Sequence, residues 1–173
     1  DLTVTGVQTC ALPISITSMN VLDVTFGNST FVACGADGAI KTSDDGDNPW
    51  LSRTSGASGI TLHGITFGNN LFLSVGASGK LIKSSDNGTS WGNVNSTVST
   101  TLNSIAYGNN IFLAVGSNTV IASTDNTGST FGIKATMYDF EDVTFGNGVF
   151  VAVGYKIIYT STDGNTWTQV YGE

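Results

Sequence analysis

Few side chains in this chain of 173 residues could carry chemistry. There is one histidine, His63, and one arginine, Arg53. The two cysteines, Cys10 and Cys34, form no Cys-x-x-Cys unit for redox or zinc chemistry. The sequence contains no Gly-x-Ser-x-Gly elbow, no His-Glu-x-x-His pair and no phosphate-binding glycine loop. His63 reads as a polar residue at a strand end. Cys34 aligns with Val75, Val115 and Val153 and reads as a small core residue.

The acidic groups gather in four turns: TSDDGDNPW from Thr42, SSDNGTSW from Ser84, STDNTGSTF from Ser123 and STDGNTW from Ser161. A short carboxylate in such a setting accepts bonds from backbone N–H groups a few residues on, and so closes its own turn. In the first turn Asp44, Asp45 and Asp47 surround Gly46 with the hard oxygen donors that calcium takes. The spacing and closing glutamate of a calcium loop are absent. These residues therefore read as a solvated turn, with no metal and no cofactor implied.

Net charge is -7 and the sequence pI about 4.3. Nothing builds the basic stripe that nucleic acid or an anionic membrane surface requires, and no apolar run is long enough for insertion into a bilayer. Charged residues make up only 11% of the chain, so the polar surface is mostly Ser, Thr, Asn and Gly, a mix that favours strands and turns. Such a surface points to an extracellular or cell-surface setting. Sequons at Asn28, Asn87 and Asn95 are those expected by chance in so Asn-rich a chain.

The elements that position these groups repeat. Four segments align, beginning at Leu22, Leu62, Leu102 and Phe140, each with an aromatic residue, a glycine (Gly27, Gly68, Gly108, Gly146) and an apolar run. The period is about 40 residues, which with four short strands per repeat matches one propeller blade. The pairs Gly27-Asn28, Asn69-Asn70, Asn109-Asn110 and Asn147-Gly148 are predicted to form the first hairpin turns, since Gly and Asn tolerate positive φ. Runs such as FLSVG and FVAVG are apolar on nearly every residue, as strands covered on both faces must be.

The four Asp turns resemble the Asp-box (BNR) repeat of β-propellers, Ser/Thr-x-Asp-x-Gly-x-Thr/Ser-Trp. The second repeat matches in full, with Ser84, Asp86, Gly88, Ser90 and Trp91. The first (Asp44, Trp50) is longer, the third (Asp125, Phe131) shifts its glycine and replaces Trp, and the fourth (Asp163, Trp167) is one residue shorter. The resemblance covers residues 22–173. It implies an all-β, propeller-like fold of four four-stranded blades, about 22–61, 62–101, 102–139 and 140–173, either closed, or an open arc or fragment of a larger ring. It also implies that the box residues are structural and lie opposite the usual ligand face.

Sialidases, the best-known enzymes with such repeats, clamp a carboxylate with an arginine triad. Bidentate recognition of that kind cannot be built from Arg53 alone. The photosystem II assembly factors, whose repeats are also similar, use a basic arginine patch that is absent here. The chain therefore reads as a non-catalytic binding or scaffold module for a glycan or a protein, able to self-assemble as a homo-oligomer or filament. The other reading is a fragment of a glycoside hydrolase or lyase propeller whose catalytic blades lie elsewhere. The candidate ligand face comprises Asp23, His63, Asn103 and Glu141 at the strand starts, with Asp37, Ser78, Asn118, Tyr155 and Lys156 in the second-to-third strand turns. These polar positions vary while the scaffold repeats.

Val4 to Ile14, VTGVQTCALPI, resembles a translated sequencing adapter. Residues 1–14 are accordingly expected to be non-native, the propeller domain to span 15–173, and the gene to be truncated at its 5′ end.

Overall fold

In the computed structural model residues 20–47, 49–136 and 138–172 are described. The segment expected to be foreign, with Cys10, lies outside them. The described residues form four antiparallel sheets of four strands each. The first holds β1 (Val21–Gly27), β2 (Thr30–Gly35), β3 (Ile40–Ser43) and β4 (Leu51–Arg53). The second holds β5 (Leu62–Gly68), β6 (Leu71–Gly76), β7 (Leu81–Ser84) and β8 (Gly92–Asn93). The third holds β9 (Leu102–Gly108), β10 (Ile111–Gly116), β11 (Thr119–Ser123) and β12 (Phe131–Ala135). The fourth holds β13 (Phe140–Gly146), β14 (Val149–Gly154), β15 (Ile157–Ser161) and β16 (Thr168–Tyr171). Strands pair in sequence order within every sheet.

Each first hairpin closes through two residues with positive φ, the geometry that matches strand twist. They are Asn69-Asn70, Asn109-Asn110 and Asn147-Gly148, as the sequence predicts, but Asn28-Ser29 in the first sheet. Gly27 pairs with Thr30 and is the last strand residue there, not part of the turn. Serine takes the second left-handed position that Asn or Gly fills in the sister turns.

The apolar second strands β6 and β10 lie between sheets and are covered on both faces, whereas β14, the FVAVG strand of the last sheet, leaves Val151 partly exposed and Val153 36% exposed. Val32, Cys34 and Ile40 of the first sheet pack with Leu62, Ile65 and Phe72 of the second. Leu73, Val75 and Leu81 of the second pack with Leu102, Ile105 and Phe112 of the third. Leu113, Val115 and Val120 of the third pack with Phe140, Val143 and Phe150 of the fourth. Cys34 is fully buried, and burial pushes its thiol pKa up to about 12.

Adjacent sheets are locked by a ring over a glycine. The Phe67 ring lies so close to Gly27 that a Cβ there would stand 2.1 Å from it. Tyr107 covers Gly68 and Phe145 covers Gly108 in the same way, each again at 2.1 Å. The innermost strands pack in series, β1 on β5, β5 on β9 and β9 on β13. No comparable contact joins β13 to β1 among the described residues, and the end faces are open: Val24 is 54% and Phe26 55% exposed. The fold is thus an open arc of four propeller-like blades.

Candidate functional site

The arc has two ends along its axis, and the Asp turns occupy one of them. In the second turn the buried Ser84 hydroxyl accepts the Gly88 N–H at 2.9 Å and donates to Asp86 Oδ1 at 2.8 Å. Asp86 accepts the Ser90 N–H at 2.9 Å, and Trp91 Nε1 donates to the Gly88 carbonyl at 2.9 Å. Ser161, Asp163, Gly164 and Trp167 repeat this network in the fourth sheet. In the third, Ser123 donates to the Asp125 carbonyl while Asp125 accepts from Thr127, and Phe131 offers no ring N–H but is buried.

The first turn corrects the sequence alignment. Asp45, not Asp44, accepts from the Asp47 N–H and the Ser43 hydroxyl, because Ser43 and not Thr42 holds the anchoring position. Hydrogen bonds hold the carboxyls of Asp45, Asp86, Asp125 and Asp163 below the usual value of 3.8. Trp50 lies 6.5 Å from the Phe31 ring, and Arg53 Nε donates to Thr42 Oγ1 at 2.9 Å. These groups satisfy one another. Among the described residues no cluster of three or more His, Cys, Asp or Glu is arranged to hold a metal.

The nine candidate residues fall at the opposite end, where each first strand begins and each second strand ends, as Val21 pairs with Gly35 and Leu62 with Gly76. The register corrects their grouping. Asp23 pairs with Cys34, Gly64 with Val75, Ser104 with Val115 and Asp142 with Val153. The counterparts of Asp23 are therefore Gly64, Ser104 and Asp142, while His63, Asn103 and Glu141 correspond to Leu22. Length misleads here, since the first repeat is one residue shorter between its leucine and its glycine.

Two of the nine are taken up in joining sheets. Asp23 accepts the N–H groups of Val24 and of Ile65 in the next sheet, both at 2.8 Å. Its carboxyl is shifted above 3.8, first by burial and least by repulsion from Asp142. Asn103 donates to the Phe140 carbonyl at 2.7 Å. His63 is half-buried. Glu141, Asp37, Ser78, Asn118, Tyr155 and Lys156 are exposed, and the last two share a concavity.

That concavity, of about 800 Å³, opens at the turn end of the fourth sheet and is lined by Tyr138, Tyr155, Lys156, Ile157, Val170 and Tyr171. Tyr155 is 81% exposed, and the Lys156 ammonium lies 5.3 Å from its ring centroid. The Tyr138 ring lies 5.4 Å from that of Tyr159. Tyr138 and Tyr171 were not legible as site residues, because one lies in a link between repeats and the other on an outer strand, away from the varying turns. In the first two sheets main chain fills the corresponding ground: the Ala57 carbonyl lies over Gly38 and the Val98 carbonyl over Gly79. Ser55 and Ser96 pin those stretches by donating to the Gly38 and Gly79 carbonyls.

No family model matches the chain, and no curated protein matches it. Its fold is similar to that of YCF48 bound to D1 peptide, with a TM-score of 0.71 at 19% identity, covering 89% of this chain and 56% of that one. It is also similar to YCF48 from Cyanidioschyzon merolae, with a TM-score of 0.70 at 16% identity, covering 91% and 57%. At such identities the likeness is one of fold. The chain spans little more than half the length of either.

Proposed function

We propose that the chain is a non-catalytic binding module that holds a segment of another protein in the depression rimmed by Tyr138, Tyr155, Lys156 and Tyr171. The observation that carries this reading is the exposed aromatic rim itself, with Tyr155 81% exposed and the Lys156 ammonium 5.3 Å from its ring centroid. Exposed tyrosines add large contact area at small entropic cost, and Lys156 adds a charge for orientation. The D1 peptide bound to YCF48 supports a partner of this class. Among the described residues at that end, Asp23 and Asn103 are engaged in joining sheets and His63 is the one imidazole, which supports a role without turnover.

We further read the four Asp turns as Asp-box repeats, on the Ser–Asp–Gly networks of the second and fourth sheets. An extracellular or cell-surface location goes with this proposal, supported by the low charge and the Ser-, Thr- and Asn-rich surface.

The test is to pan a displayed random-peptide library, and in parallel a glycan array, on the full chain. Selected peptides should bind at least about tenfold more weakly to Tyr155→Ala and Tyr171→Ala. Peptides indifferent to both substitutions, or capture of glycans alone, would overturn the assignment. Hydrolysis of a glycoside that disappears in Glu141→Gln would overturn the non-catalytic reading.

A further inference from the structure

Every joint between sheets is built from the same parts, and one set of those parts is left over. The aromatic residue near the end of each first strand covers the glycine of the sheet before it: Phe67 on Gly27, Tyr107 on Gly68 and Phe145 on Gly108. Two members of the series have no mate among the described residues. A Cβ on Gly146 would meet nothing within 4 Å, and Phe26 is 55% exposed. The arc thus ends in an unfilled socket on one side and an unseated ring on the other.

The remaining parts of the joint agree. Gly88 lies against Val32 and Thr42 of the preceding sheet, Gly128 against Leu73, and Gly164 against Leu113 and Ile111. Gly46, at the same place in the first sheet, meets only Phe31 of its own sheet and is exposed where the other three are buried. Its missing counterpart is Val151, which is partly exposed where Val32, Leu73 and Leu113 are fully buried. Asn28, Asn69 and Asn109 each donate to the Asp turn of the following sheet. Asn147 stands at the fourth such position, beside the open end.

We propose that two copies of this chain close head to tail into one ring of eight sheets, Phe26 of each copy seated over Gly146 of the other. The two seams repeat a joint that the chain already makes three times. They would cover Val21, Val24 and Phe26 on one end face and Val151 and Val153 on the other. Covered apolar area of this kind drives association. Closure by a two-fold axis leaves no end exposed, so growth stops at two chains. The seams lie on the broad end faces, whereas the tyrosine-lined depression opens at the turn end. The two proposals therefore fail separately.

One position in the seam is discordant and gives the sharpest test. Across the third joint Ser104 donates to Asp142 at 2.6 Å. The same register position at the seam brings Asp142 against Asp23 of the other copy, two carboxylates where the internal joint has a hydroxyl and a carboxylate. Asp142→Ser restores the internal pairing.

Sedimentation equilibrium of the full chain is expected to give a species of twice 17.9 kDa. Gly146→Leu fills the socket at an exposed position with open space around it. It is expected to leave the circular dichroism unchanged and weaken association at least about tenfold, as is Phe26→Ser. Asp142→Ser is expected to tighten association by about tenfold. A monomeric parent chain at about 100 µM, well above the Kd of a standard-size protein interface, would overturn the proposal. So would a dimer indifferent to Gly146→Leu and Phe26→Ser, or an open-ended polymer in place of two chains.

Discussion

The Ser84 hydroxyl is the pin of its turn, buried, donating to Asp86 and accepting from Gly88. Ser84→Ala leaves the Gly88 N–H without its partner in a buried setting, which costs about 1–3 kcal/mol. Thermal unfolding should register this as a lower Tm, with a smaller change for the exposed Ser85→Ala. The four turn carboxylates also set the acid limit of the fold. Their pKa values are depressed in the folded state by hydrogen bonds, so their contribution is fully present above the ordinary 3.8 and is lost as pH falls through the lower folded values. Asp23 works in the opposite direction: burial raises it, and protonation at low pH favours the folded state. With four groups against one, stability should fall as pH drops below 3.8. Asp86→Asn should flatten that fall in urea titrations at pH 2–5. Cys34 gives a simpler test. With its thiol raised to about 12 and fully buried, it should resist a disulfide reagent at pH 8 in a Cys10→Ser chain and react only on unfolding.

The glycines that receive rings show how far the sequence could be read at the scale of the element. Their recurrence, the paired Asn/Gly turns and the apolar second strands were legible because each reports local chemistry: positive φ, or cover on both faces. Which ring meets which glycine was not legible. That contact crosses from one sheet to the next, and sequence does not say which face a glycine turns outward. The displacement of Asp44 by Asp45, and of the Asp23 column by one residue, has the same origin. Pairing register decides both, and in the second case a leucine standing one residue nearer its glycine hides it. Tyr138 and Tyr171 escaped because neither lies where the repeats were seen to vary. The joint makes a paired prediction. Gly108→Ala forces a Cβ into the Phe145 ring and should destabilise by at least about 1–3 kcal/mol, the usual range for overpacking. Gly146→Ala, at the open end, should stay within about 0.5 kcal/mol of the parent when both are unfolded at concentrations where the chain is monomeric. Chemical denaturation of the two variants in parallel checks both.

As a whole molecule the arc is nearly one-dimensional, each sheet supported only by its neighbours. The second and third sheets have two neighbours, while the first and fourth have one. Hydrogen exchange should therefore be slowest in β6 and β10 and fastest in β1 and β16. Below the concentration at which two copies associate, that gradient should be steep. Where the ring forms, β1 and β14 should gain protection together, while the outer strand β16 should change least.

The ring-over-glycine lock also has a heritable side. Every sheet carries both halves of the fastening, an aromatic residue facing backward and a glycine facing forward, so any sheet can follow any other. Unequal recombination that deletes or duplicates one repeat leaves each remaining junction matched. Repeat number is then free to drift without redesign of the contacts, and the turn end of each added sheet is available for a new specificity.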